Sequence, residues 1–400
     1  MTKKNGTVAE RLTSMALLGV FVAILVAGCG GGSSVPAPPS DKSAQLQQLI
    51  DNAVANNKIP GVVFTTKILN EGKWVGTSGY SDPQNNVLIT KNHVFRVGSS
   101  SKTFTAMGIL QLAQENVLSI DDTVEKWLPG VLPTNDLNQK IGELMTIRNL
   151  LNHTSGLANY FLADAFYGAY ITAPTTQYTP QQLVDISIDA DPNPTPSDEW
   201  HYTNTGYILM GMIIEAATGN SWKTEMRNRF ITPLGLSSTV IPEKGQTTVS
   251  GYAKGHVDMF EASFGFIGTE GADLVEFSEA DPSGAWAAGA IHSTTEDLCT
   301  WITAIAKGQV LNEKYQIEMM RVIHAKDNFY YGLGIVWDPT TGLLGHKGQI
   351  PGYDCAMYYQ VVYDVPLCVC GNRTKGNAYQ DVEAAVVYGA LPIIFGTATP

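Results

Sequence analysis

Strand-like text stands at both ends of this chain and helical text fills its middle, an ordering that restricts the fold more than any other feature. Near the beginning, Val62–Leu69 and Trp74–Ser78 read as strands joined by Asn70-Glu71-Gly72. From about Ser119 to Phe277 helical periods and Pro/Asn-rich loops dominate, as in Leu183–Ile188 and Gly206–Ala217. From Ala287 strands return, at Gly332–Trp337, Gly342–His346, Ala356–Tyr363 and Leu367–Cys370, followed by a final helix from about Tyr379 to Leu391. A first helix is expected over 42–56, with Leu46, Leu49, Ile50 and Ala53 on one stripe, broken by Ile59-Pro60-Gly61. The expectation is an α/β lobe (42–118 and 287–395) interrupted by a mainly helical lobe (119–286). Sites often form where such lobes meet.

The folded part is expected to span 42–395. Residues 1–28 carry a basic start (Lys3, Lys4, Arg11) and an apolar stretch, Ala16 to Ala27. That stretch is short of the roughly 20 residues a bilayer span needs. It ends in Leu25-Val26-Ala27-Gly28-Cys29, which resembles the lipobox of bacterial lipoproteins. The resemblance implies cleavage before Cys29 and a lipid on its thiol, which places the protein on a membrane of the bacterial cell envelope, facing the periplasm or exterior. A plain secretory signal and an uncleaved anchor helix are the alternatives. Residues 29–41, rich in Gly, Ser and Pro, read as a tether. The net charge of −12 becomes more negative once the basic leader is removed, which argues against nucleic acid or anionic lipid as partners. Export places Cys299, Cys355, Cys368 and Cys370 where disulfides persist. Cys355 with Cys368 or Cys370 could bridge neighbouring strands, and free buried thiols are equally compatible with the spacing. The seven histidines show no ligand spacing, and neither a metal site nor a cofactor is expected.

The chemistry starts at Phe95-Arg96-Val97-Gly98-Ser99-Ser100-Ser101-Lys102-Thr103-Phe104. Beyond Thr103 the apolar positions Phe104, Met107, Leu110 and Ala113 recur at helical spacing, so Ser99 sits at a helix mouth with Lys102 one turn on. A serine hydroxyl needs an adjacent base to attack a carbonyl. A lysine serves if burial and positive neighbours lower its pKa. A second group is Trp200-His201-Tyr202-Thr203-Asn204, in the loop before the helix that Gly219 closes. Residues two apart in extended backbone face the same way, so the Tyr202 phenol and Asn204 amide are expected to share one space. A nearby cation would have to lower the phenol's pKa for it to pass a proton. A third group is Gly345-His346-Lys347-Gly348-Gln349-Ile350-Pro351-Gly352, after a short strand. Here His346 is expected to project into the cleft, and Gly348 to let a substrate backbone approach.

In order and context these groups resemble the serine β-lactamase and penicillin-binding superfamily, nearest the branch of class C β-lactamases, serine D-alanyl-D-alanine carboxypeptidases and related esterases. Leu150-Leu151-Asn152-His153-Thr154-Ser155-Gly156-Leu157, Pro233-Leu234-Gly235-Leu236, Ser293-Thr294-Thr295-Glu296-Asp297-Leu298 and Tyr331-Gly332-Leu333-Gly334 fit the same branch, and the likeness runs over about 43–395. It implies an antiparallel sheet flanked by helices with a helical second lobe. It also implies catalytic roles for Ser99 (nucleophile), Lys102 (base) and Tyr202 (proton donor). Substrate would be held by Asn204, His346, Gly348 and Gln349, with the Ser99 and Gln349 N–H groups as oxyanion hole. The implied substrates are small peptides, esters or β-lactams. Histidine in the third group resembles the peptidase branch more than class C β-lactamases and favours a D-alanyl-D-alanine carboxypeptidase-like peptidase or amidase. A carboxylesterase or β-lactamase is the alternative, and a non-catalytic envelope binding protein is the reading from another class. Lys347 departs from the branch, which often has a hydroxyl residue there to help bind a substrate carboxylate.

Overall fold

β-Branched and aromatic residues fill Gly61–Ile68 (β1), a strand buried on both faces. In the computed structural model, which describes residues 42–259, 274–374 and 380–396, two helical layers cover it. Val62, Phe64 and Ile68 pack with Leu46, Ile50 and Ala53 of α1 (Lys42–Asn57) and with Val386, Ala390 and Ile394 near the C-terminal end. The alternate positions face a helix over Thr295–Ala306, where the Thr65 and Thr295 hydroxyls lie 2.7 Å apart.

The other strands of the β1 sheet are β2 (Gly72–Asp82), β3 (Val87–Leu88), β4 (Ile323–Lys326), β5 (Phe329–Tyr331), β6 (Val336–Asp338), β7 (Leu343–Ile350), β8 (Tyr353–Gln360) and β9 (Val365–Gly371). Among the described residues these form one nine-stranded antiparallel sheet in the order β3-β2-β1-β9-β8-β7-β6-β5-β4. The two ends of the chain meet where Val62 pairs Gly371 and Thr65 pairs Cys368. The helical segments between Val124 and Ile231 lie outside the sheet.

Three details differ from the sequence expectation, and one choice that it left open is decided. The strand expected over Gly332–Trp337 starts only at Val336. Before it the Gly332 N–H bonds Ile335 O and Gly334 takes a φ of +84°, which makes a turn. The edge hairpin β4–β5 was not expected, because its Lys, His and Asp residues mask the alternation. The last helix has a π-turn at Glu383–Val387 before Tyr388–Phe395, while its expected start at Tyr379 lies outside the described residues. Cys355 stands opposite Cys370 in the β8–β9 register, and all four described cysteines are buried free thiols.

At the centre lies α2 (Ser101–Gln114), buried on nearly every side rather than along one stripe. Its polar residues are each satisfied. Thr103 Oγ1 donates to Ser100 O and accepts from Trp301 Nε1, and Thr105 Oγ1 donates to Ala287 O and accepts from Trp222 Nε1. Phe104 stacks on Trp301 at 4.1 Å between centroids. Substituting Ile50, fully buried beneath β1, with alanine should cost about 2–5 kcal/mol. Thermal denaturation should show the lower melting temperature, and kcat/KM measured below the transition should be unchanged.

Candidate active site

Ser99 lies in a 3-10 turn, Gly98–Ser100, that runs into α2. The turn is wedged against β7. A Cβ on Gly98, whose φ is +49°, would lie 2.8 Å from Gln349 O and 2.9 Å from Gln349 N. A Cβ on Gly348 would lie 1.9 Å from Val97 O. Gly348 is therefore glycine because the Ser99 turn packs on it, which replaces the expectation that a substrate backbone approaches there. The fit is completed by Ser100 Oγ, which donates to His346 O at 3.2 Å.

Lys102 is fully buried. Its Nζ stands 3.0 Å from Ser99 Oγ, 2.6 Å from Asn204 Oδ1 and 2.8 Å from Ala288 O. Burial holds this amine well below the usual lysine range. The expected positive neighbours contribute nothing; desolvation is the cause. A neutral amine has two protons and one lone pair. The two carbonyl acceptors, Asn204 Oδ1 and Ala288 O, take the protons, which leaves the lone pair for the Ser99 hydroxyl.

The loop of Tyr202 and Asn204 turns both side chains inward, as alternation predicts. Tyr202 Oη donates to Ser99 Oγ at 2.6 Å. Asn204 donates through Nδ2 to Asn159 Oδ1 at 3.1 Å, which fixes its amide with the oxygen toward Lys102. The expected lowering of the phenol's pKa is not found. Burial pushes Tyr202 up, and the Lys102 amine, 5.0 Å from the ring centroid, is not a standing charge. Tyr202 is thus a constant O–H donor.

Sequence reasoning assigned no role to His153, although it quoted the motif that contains it. His153 holds an unusual φ of +62° and clamps the Tyr202 loop from both sides. Its carbonyl accepts from His201 N–H at 2.8 Å, and its Nδ1 accepts from Thr203 N–H at 3.2 Å. Its ring lies 4.4 Å from that of Tyr202. Burial keeps this imidazole neutral, as an acceptor at Nδ1 requires. Asn159 and Ala288 were also missed, and nothing local in the sequence marks them; Tyr331, like His153, stood in a quoted motif without a role.

His346 lines the cleft but is nearly buried, with Nε2 2.9 Å from Tyr331 Oη. Burial pushes its imidazole down to about 3. Gln349 is exposed on the cleft wall. Lys347 is half-buried on the cleft wall; its ammonium pairs with Asp381 and stands 3.4 Å from Glu383. The cleft over Ser99 measures about 660 Å³ and is walled by aromatic rings, among them Phe161, Tyr167, Trp200, Phe329 and Tyr330. Cys29 lies outside the described residues.

The family model of beta-lactamases matches residues 46–390. The chain belongs to the beta-lactamase family. Membership makes it a serine hydrolase of the beta-lactamase and penicillin-binding superfamily, with that superfamily's fold. Penicillin-binding protein 4* of Bacillus subtilis strain 168 is 26% identical, over 89% of this chain and 77% of its own. Penicillin-binding protein 4 of Amycolatopsis lactamdurans is 32% identical over half of each chain. Among solved structures, a D-stereospecific amidohydrolase from Streptomyces sp. superposes with a TM-score of 0.76 at 30% identity, over 89% of this chain and 99% of its own. The D-amino acid amidase of Ochrobactrum anthropi SV3, complexed with D-phenylalanine, gives 0.75 at 27% identity, over 90% and 100%.

In this beta-lactamase family member the Lys102 geometry has a pH consequence. The amine must be unprotonated, so kcat/KM should fall on the acid side as Lys102 takes up a proton. The fall should begin far below the usual lysine pKa of about 10.4, and Lys102→Ala should remove the activity that shows it. His153→Ala should lower kcat about 10- to 100-fold with little change in KM, because it frees the Tyr202 loop without touching substrate. Steady-state kinetics over pH 4–10 check both.

Proposed function

We propose that the chain is an amide-cleaving acyl-enzyme hydrolase, a peptidase or amidase for compounds with a D-configured, apolar or aromatic acyl side. The observation that carries the reading is the fully buried Lys102 amine, its Nζ 3.0 Å from a hydroxyl that also accepts from Tyr202. Ser99 Oγ attacks the carbonyl carbon and its proton passes to Lys102 Nζ. The oxyanion forms against the N–H groups of Ser99 and Gln349, and two aimed donors are worth several kcal/mol there. Tyr202 gives its phenolic proton to the leaving nitrogen, the C–N bond breaks, and the Lys102 ammonium returns a proton to the phenolate. Water then attacks the ester with Lys102 again as base, releasing the acid and restoring Ser99.

The D-configuration rests on likeness to the two amidohydrolases, and the apolar acyl side on the aromatic cleft wall. D-Alanyl-D-alanine carboxypeptidase activity belongs to the same reading, with esterase and β-lactamase activity as side reactions of one acyl-enzyme. We further propose that residues 1–28 are removed, that Cys29 carries a lipid, and that the 29–41 tether holds the hydrolase off a membrane of the cell envelope.

A fluorophosphonate or a fluorescent penicillin should label Ser99, read by mass spectrometry of the digested protein. D-Phenylalanine amide should be hydrolysed faster than its L-enantiomer, nitrocefin or p-nitrophenyl butyrate. Ser99→Ala should lose about 10⁴-fold or more in kcat. No adduct and no turnover would replace the enzyme with a binding protein on the same fold, and turnover surviving Ser99→Ala would refute the assignment.

A further inference from the structure

The third group of the sequence brings a lysine, not a hydroxyl residue, to the cleft wall, and what that lysine touches decides which substrates fit. Lys347 and Gln349 alternate on β7 and both line the cleft. At a strand rise of about 3.3 Å per residue their side chains stand roughly 7 Å apart. The Gln349 backbone packs on Gly98, beside Ser99. In a peptide with a free C-terminus the leaving group's carboxylate lies three bonds from the scissile carbonyl carbon, about 4 Å away. Lys347 is thus in the zone where such a carboxylate would look for a cation.

That cation is already engaged. Asp381, nearly buried, bonds the Lys347 ammonium, and Glu383 approaches it to 3.4 Å. Both acids are anchored. Asp381 Oδ1 accepts from Ala384 N–H at 2.8 Å, and Glu383 Oε1 accepts from Tyr358 Oη at 2.5 Å. Glu383 itself lines the cleft. Behind the pair Asp354 is fully buried, with its carboxyl pushed up to about 7 by burial against the pull of Lys347. One ammonium therefore faces two fixed carboxylates, and an entering anion meets a net negative corner. Among the described residues the other charged groups of the wall are Asp258 and, on the edge strand β4, Lys326.

We infer that Asp381 and Glu383 neutralise Lys347, so that this site selects substrates whose leaving side carries no carboxylate: primary amides, esters and capped peptides. The inference rests on the amidase reading above and narrows it, away from carboxypeptidase substrates and toward uncharged leaving groups.

The test compares D-Phe-D-Ala with its C-terminal carboxamide, D-Phe-D-Ala-NH₂, which differ only in that charge. The wild type should cleave the carboxamide at least about tenfold better in kcat/KM, with the difference in KM. Glu383→Gln removes one carboxylate and keeps the Tyr358 contact, and it should narrow the ratio several-fold by improving the carboxylate substrate. Equal rates on the two dipeptides, or a preference for the free carboxylate, would overturn the inference while leaving the amidase reading intact. A carboxylate preference lost in Lys326→Ala would also overturn it and move recognition to the edge hairpin. A ratio unmoved in folded Glu383→Gln would remove Glu383 from the account. Should that variant not fold, the wild-type pair decides alone. Turnover of neither dipeptide, nor of D-phenylalanine amide, would overturn the amidase reading and the inference with it.

Discussion

An amine taken wholly out of water is the constraint around which this structure is built. A lysine in that position costs several kcal/mol if it stays charged. The fold answers by keeping Lys102 neutral and giving its two protons the Asn204 and Ala288 carbonyls. Everything that excludes water from Nζ then becomes part of the chemistry: the near-total burial of α2, the Phe104–Trp301 stack behind it, and the Tyr202 and Tyr207 rings 5.0 and 5.3 Å away.

The nucleophile turn depends on the same close packing from the other side. Gly98 in the nucleophile turn and Gly348 on β7 meet the opposite backbone without side chains, and their contacts set the distance between the Ser99 and Gln349 backbones. A methyl at Gly348 would collide with Val97 O at 1.9 Å, and backbone cannot yield as a flexible side chain does. The paired donors proposed as an oxyanion hole are thereby placed by sheet geometry rather than by side-chain rotamers, and need no reorganisation during reaction.

How much of this was legible in the sequence depended on distance along the chain. Ser99 to Lys102 is one helical turn and Tyr202 to Asn204 one strand alternation, so local periodicity predicts each pair correctly. Likeness of motif, not spacing, joined the two pairs. Asn159 and Ala288 reach the site from far away, and no local pattern announces them. The direction of the Tyr202 shift was misjudged because burial is not written in a loop sequence, and there burial outweighs any cation. The role of Gly348 was misjudged for a related reason. A glycine before a turn reads as room for ligand, whereas the occupant is the Val97 carbonyl. The partners of Lys347 lie beyond β9, some 34 residues on, so the lysine read as a free charge. In the fold, strands buried on both faces were visible as apolar runs, and the polar edge hairpin β4–β5 was not.

A neutral histidine at position 346 closes the electrostatic argument. Tyr331 bridges it to the buried aromatic group of Tyr207, His153 and Trp200, with the Tyr331 and Tyr207 hydroxyls 3.4 Å apart and Tyr207 donating to Leu151 O at 3.1 Å. With His346 pushed down to about 3 and His153 also held uncharged, neither imidazole is a second cation beside Lys102 at neutral pH. Charge repulsion is then unavailable as a means of keeping the lysine neutral, and exclusion of water must do it alone. This makes the integrity of the aromatic wall a condition of the acid–base chemistry. Here the imidazole packs beside the reacting pair, and the only lysine of the group, Lys347, is committed to Asp381 and Glu383 at the edge of the cleft.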